Sequence, residues 1–205
     1  FEFSNLATQQ YAPGYCCYPG DILEFGTGSG KSTIEIARFI ERFRVNKKIF
    51  TFDGFVGLPK TNKVIPTNSD WQPGNLKFCE TETRSALRPY RCVSVFKTMI
   101  DEIQDLSLYG VDRVAAVNFD LDLYEGTRDA LNLIIATEWN KILLRFDDWG
   151  AYENQVTAEV AQHEQLAFFE FIEKTKYDWN FLPYNTKINK QEQQAVIEVT
   201  RGATK

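Results

Sequence analysis

Four aspartates, Asp120, Asp122, Asp147 and Asp148, and a run of alternating glycines, Gly26, Gly28 and Gly30, are the residues whose types and spacing could do chemistry. The aspartates fall in two runs, Asn118-Phe119-Asp120-Leu121-Asp122 and Phe146-Asp147-Asp148-Trp149, each closing an apolar stretch. Crowded carboxylates repel one another and raise each other's pKa. A hard divalent cation with oxygen ligands removes that cost, and Mg2+ or Ca2+ suits all-carboxylate ligation. In extended backbone Asp120 and Asp122 point the same way. Capping is the plainer use: Asp122 and Glu125 precede a helical stretch and Asp148 a turn.

The glycines sit in Asp21-Ile22-Leu23-Glu24-Phe25-Gly26-Thr27-Gly28-Ser29-Gly30-Lys31-Ser32-Thr33. Ile22, Leu23 and Phe25 read as a short buried strand. From Ser32 to Phe43 the apolar residues Ile34, Ala37, Phe39, Ile40 and Phe43 recur at helical spacings. A second strand, Lys48 to Asp53, ends in an acid 23 residues after Gly30. Such a strand–turn–helix–strand layout is that of a nucleotide site. Glycine lets the backbone approach a ligand, the helix N-terminus faces it, and the acid can bond ribose hydroxyls.

Three ligand classes compete for the loop. A phosphate-binding P-loop needs a first glycine at position 25, which is Phe25, although Gly30-Lys31-Ser32 fits its end. The dinucleotide fingerprint needs glycine at position 31, which is Lys31. Glu-x-Gly-x-Gly-x-Gly is matched in full by Glu24, Gly26, Gly28 and Gly30. A glycine-rich turn with no ligand is the bland alternative.

The elements that must carry these residues alternate. Glu80 to Tyr90 reads as a short helix, Arg91 to Phe96 as strand three, and Thr98 to Leu108 as a helix with Met99, Ile100, Ile103 and Leu106 on one side. Val111 to Phe119 is strand four, Gly126 to Glu138 a helix, and Ile142 to Phe146 strand five. Asn154 to Lys174 reads as a long helix burying Val156, Val160, Leu166, Phe169 and Ile172. Tyr177 to Tyr184 and Gln194 to Thr200 are two final strands joined by a polar connection over Asn185 to Gln193. The expectation is an α/β, Rossmann-like doubly wound sheet of about seven mostly parallel strands with helices on both faces. Ligands then bind at the strand carboxyl ends. Residues 1–20 form an aromatic, turn-rich N-terminal segment, and 21–205 the domain. The polar stretch over about 54–78 reads as a lid-like loop leaving the ribose-binding strand end.

Composition narrows the partners. The 205 residues suit one domain, with 43 % hydrophobic and 25 % charged residues and a net charge of −5. No Lys/Arg-rich run occurs, so nucleic acid is not an expected partner. No apolar run approaches the roughly 18 residues of a membrane span, and no signal peptide is visible. The expected setting is cytoplasmic, although the chain opens on Phe1 rather than Met, which leaves room for residues upstream. Cys16, Cys17, Cys79 and Cys92 contain no Cys-x-x-Cys pair, and His163 is the single histidine, so a zinc site is not expected. Cys92 reads as a buried thiol and His163 as a helix-surface residue. A homo-oligomer stays open, with the N-terminal segment covering either the site or a partner subunit.

A resemblance sharpens this reading. The Glu24 to Gly30 motif looks like motif I of class I methyltransferases using S-adenosylmethionine (SAM). Phe52-Asp53-Gly54-Phe55-Val56-Gly57-Leu58-Pro59, Asp120-Leu121-Asp122-Leu123-Tyr124-Glu125-Gly126-Thr127 and Asp147-Asp148-Trp149-Gly150 are similar, in order, to three motifs of the macrocin O-methyltransferase family. The likeness spans about Gly20 to Thr175. It implies a SAM- and Mg2+-dependent O-methyltransferase acting on a small hydroxylated acceptor, a sugar being the family's example. By matching position it implies Asp120, Asp147 and Asp148 as metal ligands and Asp122 as general base. Glu24, Gly26, Thr27, Gly28, Gly30, Ser32, Asp53 and Gly54 would then form the SAM site. The chain departs from the pattern at Gly126, at Arg145 and in the turn Glu138-Trp139-Asn140-Lys141. These departures keep open a non-catalytic scaffold of the same fold, beside the weaker P-loop reading.

Overall fold

The computed structural model describes residues 17–63, 65, 71–149, 162–182 and 194–202. Seven strands form one sheet: β1 (Asp21–Phe25), β2 (Ile49–Asp53), β3 (Val93–Lys97), β4 (Val114–Phe119), β5 (Lys141–Phe146), β6 (Asp178–Phe181) and β7 (Ala195–Thr200). Four helices are described: α1 (Lys31–Phe43), α2 (Glu80–Leu87), α3 (Tyr124–Ile135) and α4 (His163–Thr175). The strand order is β3-β2-β1-β4-β5-β7-β6. β1 to β5 pair in parallel, while β7 runs antiparallel to both β5 and β6. The chain winds outward from β1 to β3, then crosses back to place β4 on the other side of β1. A crevice opens at the strand carboxyl ends where the winding reverses.

Two side-chain rows form at those ends. Phe96, Phe52, Phe25, Phe119 and Phe146 lie in register across five strands. Their successive ring centroids are 5.3, 5.5, 6.0 and 4.7 Å apart. The residues one step earlier on β2, β1, β4 and β5, Thr51, Glu24, Asn118 and Arg145, are also in register. Successive side chains of a strand point to opposite faces, so this second row is polar and lies on the other side. The aromatic face is covered by α3, α4 and the segment between β3 and β4; the other face packs on Ile36, Ala37, Phe39 and Ile40 of α1. Fully buried phenylalanines each contribute about 1.5–3 kcal/mol, so the aromatic row gives the strand ends a rigid floor.

Several expectations shift. Thr98 to Leu108 is not a helix but two single 3-10 turns, Ile100–Glu102 and Leu106–Tyr109. Asp105 is the cause: it stays extended and its carboxylate caps Ser107 N, which starts a new turn. Ile100, Ile103 and Leu106 are buried as expected. Phe43 is 57 % exposed, because α1 uses Ile36 and Ile40 instead. Within α4 the buried apolar residues are Ala167, Phe168 and Phe171, one position off the expected Leu166, Phe169 and Ile172. Val156, Val160, the connection over 185–193 and most of the N-terminal segment lie outside the described residues. Cys92 is only half-buried, on an edge of the sheet, and burial still pushes its thiol pKa up.

Candidate active site

Gly26 brings the two chemical groups together. Its φ is +89°, and a Cβ there would lie 1.8 Å from the carbonyl oxygen of Asp120. Only glycine allows the turn after β1 to press on the turn after β4. The contact is locked by Asp120 N donating to Phe25 O at 2.9 Å and Gly26 N to Phe52 O at 2.9 Å. Asp53 ties the same loop from β2: its Oδ2 accepts from Gly28 N at 2.8 Å and its Oδ1 from Phe55 N at 2.6 Å. Gly30, also left-handed with φ +80°, starts α1.

Above the loop lies a cavity of about 820 Å3. Of the residues expected at the cofactor, Gly26, Thr27, Gly28, Ser32, Asp53 and Gly54 line it; Glu24 and Gly30 do not. Glu24 stands behind the loop with no solvent exposure. Its carboxyl accepts from Thr33 Oγ1, from Thr51 Oγ1 at 3.0 Å and from Asn118 Nδ2 at 2.9 Å. Those donors on α1, β2 and β4 draw it inward, so Glu24 braces the turn rather than facing the cavity. The opposite wall is the loop after β2, through Leu58, Pro59, Lys60, Leu76 and Phe78. Leu58 N donates to Asn75 O and Gly74 N to Leu58 O, each at 2.9 Å. The loop is fastened to α3 where Glu125 accepts from Thr61 Oγ1 at 2.8 Å and Asn62 N at 3.2 Å.

All four aspartates reach the cavity. One carboxylate oxygen each of Asp120, Asp122 and Asp148 lies within 4.8 Å of the other two; Asp147 is not in that group. Extended backbone does not produce the convergence. Asp122 has φ +59°, and Leu123 N donates to Leu121 O at 2.5 Å across it, a tight three-residue turn. A left-handed aspartate is strained backbone held at a cavity wall, as functional positions often are. The capping use is not what is seen: α3 begins after Leu123 with no side-chain cap, and Glu125 is spent on the loop. Asp122 is 8 % exposed, and burial, then the charges of Asp120 and Asp147, push its pKa up to about 7. Asp120 is raised well above the usual range by burial, then by Asp147 and Asp148.

The start of α4 adds residues that sequence reasoning missed. His163 is not on a helix surface: it is 1 % exposed, has φ +47°, accepts from Tyr124 N at 3.3 Å and meets the Trp71 ring edge-on at 5.4 Å. Glu164 has no exposure; its Oε2 accepts from Asp148 N at 3.0 Å, and its Oε1 has no partner among the described residues. Burial, then the charge of Asp148, raises its pKa well above the usual range. Nothing in His163-Glu164-Gln165 distinguishes it from an exposed first helical turn. The all-oxygen donors of Asp120, Asp122 and Asp148, with the buried Glu164 carboxyl bonded to Asp148 N behind them, fit a hard cation. The glycine turn and Asp53 fit a nucleoside.

A doubly wound sheet ending in an antiparallel β7, a glycine turn after β1 and an acid closing β2 define the class I SAM-dependent methyltransferases. Residues 17–166 match the macrocin O-methyltransferase (TylF) family, and the chain belongs to that family; it is a SAM-dependent O-methyltransferase. The fold is shared with the O-methyltransferase NovP, at 18 % identity and a TM-score of 0.68, over 96 % of this chain and 80 % of that one. It is shared with the calicheamicin methyltransferase CalS11, at 19 % and 0.71, over 97 % and 78 %. TomG of Streptomyces achromogenes, an O-methyltransferase of tomaymycin synthesis solved with SAM, is 16 % identical with a TM-score of 0.57, over 96 % and 78 %. No curated protein sequence matches. No helix among the described residues is long and apolar enough to cross a membrane.

Proposed function

We propose that the protein transfers the methyl group of SAM to a hydroxyl of a small acceptor, a sugar being favoured, with a divalent cation, Mg2+, at the acidic rim. The observation that carries this reading is the meeting of the Asp120, Asp122 and Asp148 oxygens within 4.8 Å, on the rim of the cavity that the glycine turn also lines. The sugar is supported by the family, and by CalS11 being described as a TDP-rhamnose 3'-O-methyltransferase. A cation bound at the acidic rim would lower the pKa of a hydroxyl beside it. Asp120 and Asp148 would hold that cation in place. Asp122 would take the hydroxyl proton, and bound SAM would supply the methyl group, its carbon–sulfur bond breaking as the carbon–oxygen bond forms, with S-adenosylhomocysteine (SAH) left behind. Gly26 and Gly28 would let the backbone approach the adenosyl part, and Asp53 would accept from its ribose beside the two backbone N–H groups it already holds. The loop over 54–78 excludes water as a lid. Positioning supplies most of the acceleration, because SAM already carries a reactive methyl.

The test is methyl transfer to a panel of nucleotide sugars and free glycosides. Turnover is expected with Mg2+, to vanish in chelator and to return with added Mg2+. Asp122→Asn is expected to lower kcat by about 10²-fold or more while SAH binding stays within a few-fold. Undiminished turnover in chelator removes the cation from the reading; an Asp122→Asn enzyme at full rate removes the base.

A further inference from the structure

Arg145 is a charged residue on an inner strand, and its side chain is only 13 % exposed. Its neighbours explain how a guanidinium is kept inside the sheet. Arg145 on β5 is in register with Asn118 on β4, which is in register with Glu24 on β1. In-register residues of neighbouring strands share a face, so the three side chains line up. Glu24 Oε1 accepts from Asn118 Nδ2 at 2.9 Å, and Asn118 Oδ1 accepts from Arg145 Nη1. The second arm of the guanidinium, Nη2, donates to Asp147 Oδ1. Gln194, just before β7, donates its Nε2 to the same oxygen at 2.6 Å. An unbroken row of hydrogen bonds thus runs from the carboxylate bracing the glycine turn to Asp147 at the acidic rim.

That row bears on which carboxylates take the cation. Arg145 keeps its charge at any working pH, and its planar fork suits two partners at once. Asp147 Oδ1, already holding a guanidinium and an amide, has little to offer a cation, and the guanidinium beside it disfavours a cation at Oδ2 as well. The geometry agrees, since the oxygens that converge belong to Asp120, Asp122 and Asp148. A second, independent feature lies on the Asp148 side: Glu164 is fully buried, receives Asp148 N, and has its other oxygen without a partner among the described residues.

We propose that Asp147 is not a cation ligand but the end link of this row: Arg145 is a positioning residue that holds Asp147 aside and leaves the cation to the Asp120–Asp122–Asp148 group. The proposal rests on the cation-assisted reading above and removes Asp147 from the ligands that the sequence resemblance implies.

Mn2+ binding to the full chain in the presence of SAH, read from the loss of the free-ion EPR signal, tests it without turnover. The wild-type protein is expected to bind Mn2+, and Asp148→Asn to lose at least 30-fold in affinity. Asp147→Asn is expected to stay within 3-fold of wild type. Arg145→Leu, which releases Asp147, is expected to bind Mn2+ several-fold more tightly, and Arg145→Lys, which keeps the charge but not the fork, to fall between the two. SAH affinity of each variant reports the intact fold, and if Asp147→Asn does not fold, Arg145→Leu decides. Loss of Mn2+ binding in Asp147→Asn equal to that in Asp148→Asn overturns the proposal and leaves the cation reading standing, as does weaker binding in Arg145→Leu. A wild-type protein that binds no Mn2+ overturns the cation reading and this proposal together.

Discussion

Glu24 has no solvent exposure, and side chains on three different elements donate to its carboxyl. Burial disfavours the charged form and those hydrogen bonds favour it; burial wins, so the folded pKa lies above the ordinary 4.5. A carboxyl whose pKa is raised on folding binds its proton more tightly in the native state. Its contribution to stability is complete below the ordinary value and is lost as pH rises through the folded value. The loss cannot be steeper than about 1.4 kcal/mol per pH unit for one group. Glu24→Gln keeps the shape and removes the titration. In urea unfolding, the variant and the wild type are expected to be close at about pH 4, with the variant gaining relative stability as the pH is raised to about 8. Parallel profiles would mean that Thr33, Thr51 and Asn118 hold the ionised form at no net cost. The motif named Glu24 as part of the cofactor site, and the residue does belong to it, but from behind. Sequence spacing cannot tell a cavity-facing carboxylate from one drawn inward by residues 27 and 94 positions away.

Elements with a local signal were legible. β1, the glycine turn and α1 follow from an apolar triplet, three glycines and a helical period, all within one stretch. The polar row was not legible, because Glu24, Asn118 and Arg145 become neighbours only through strand register. The false helix over 98–108 shows the limit from the other side: its apolar spacing was real, but Asp105 offers Ser107 N a competing hydrogen bond. Gly126 allows a direct test at this scale. It is the third residue of α3, and a Cβ there would meet Leu121 at 3.6 Å, an ordinary contact. Glycine inside a helix is less stable than alanine by about 0.5–1 kcal/mol. Gly126→Ala is therefore expected to raise the unfolding free energy by about that amount, and Gly126→Ser by less in the same direction. A fall in stability with either would show that the start of α3 needs backbone freedom, which its contacts do not indicate.

For the molecule as a whole, three separately anchored parts border one cavity: the glycine turn on β1, the loop after β2 and the acidic turns after β4 and β5. Each is held to the sheet or to α3 by its own bonds, with Asp53 serving the first, Glu125 the second, and Arg145 with Glu164 the third. A ligand spanning the cavity adds contacts between parts that otherwise meet only through the sheet. Binding to the native state alone stabilises by about 2.7 kcal/mol at a ligand concentration 100 times Kd. For a domain of this length that is a rise in Tm of about 5–10 °C. SAH is expected to produce it. Amide exchange is expected to slow at residues 26–32 and also at 54–63 and 71–78, while β6, the far edge of the sheet, keeps its rate. Slowing at the glycine turn with no change over 54–78 would place the cofactor correctly and remove the lid role from the loop. An unchanged Tm at saturating SAH would count against the cavity as the cofactor site altogether, since a ligand that discriminates native from unfolded chain must shift that equilibrium.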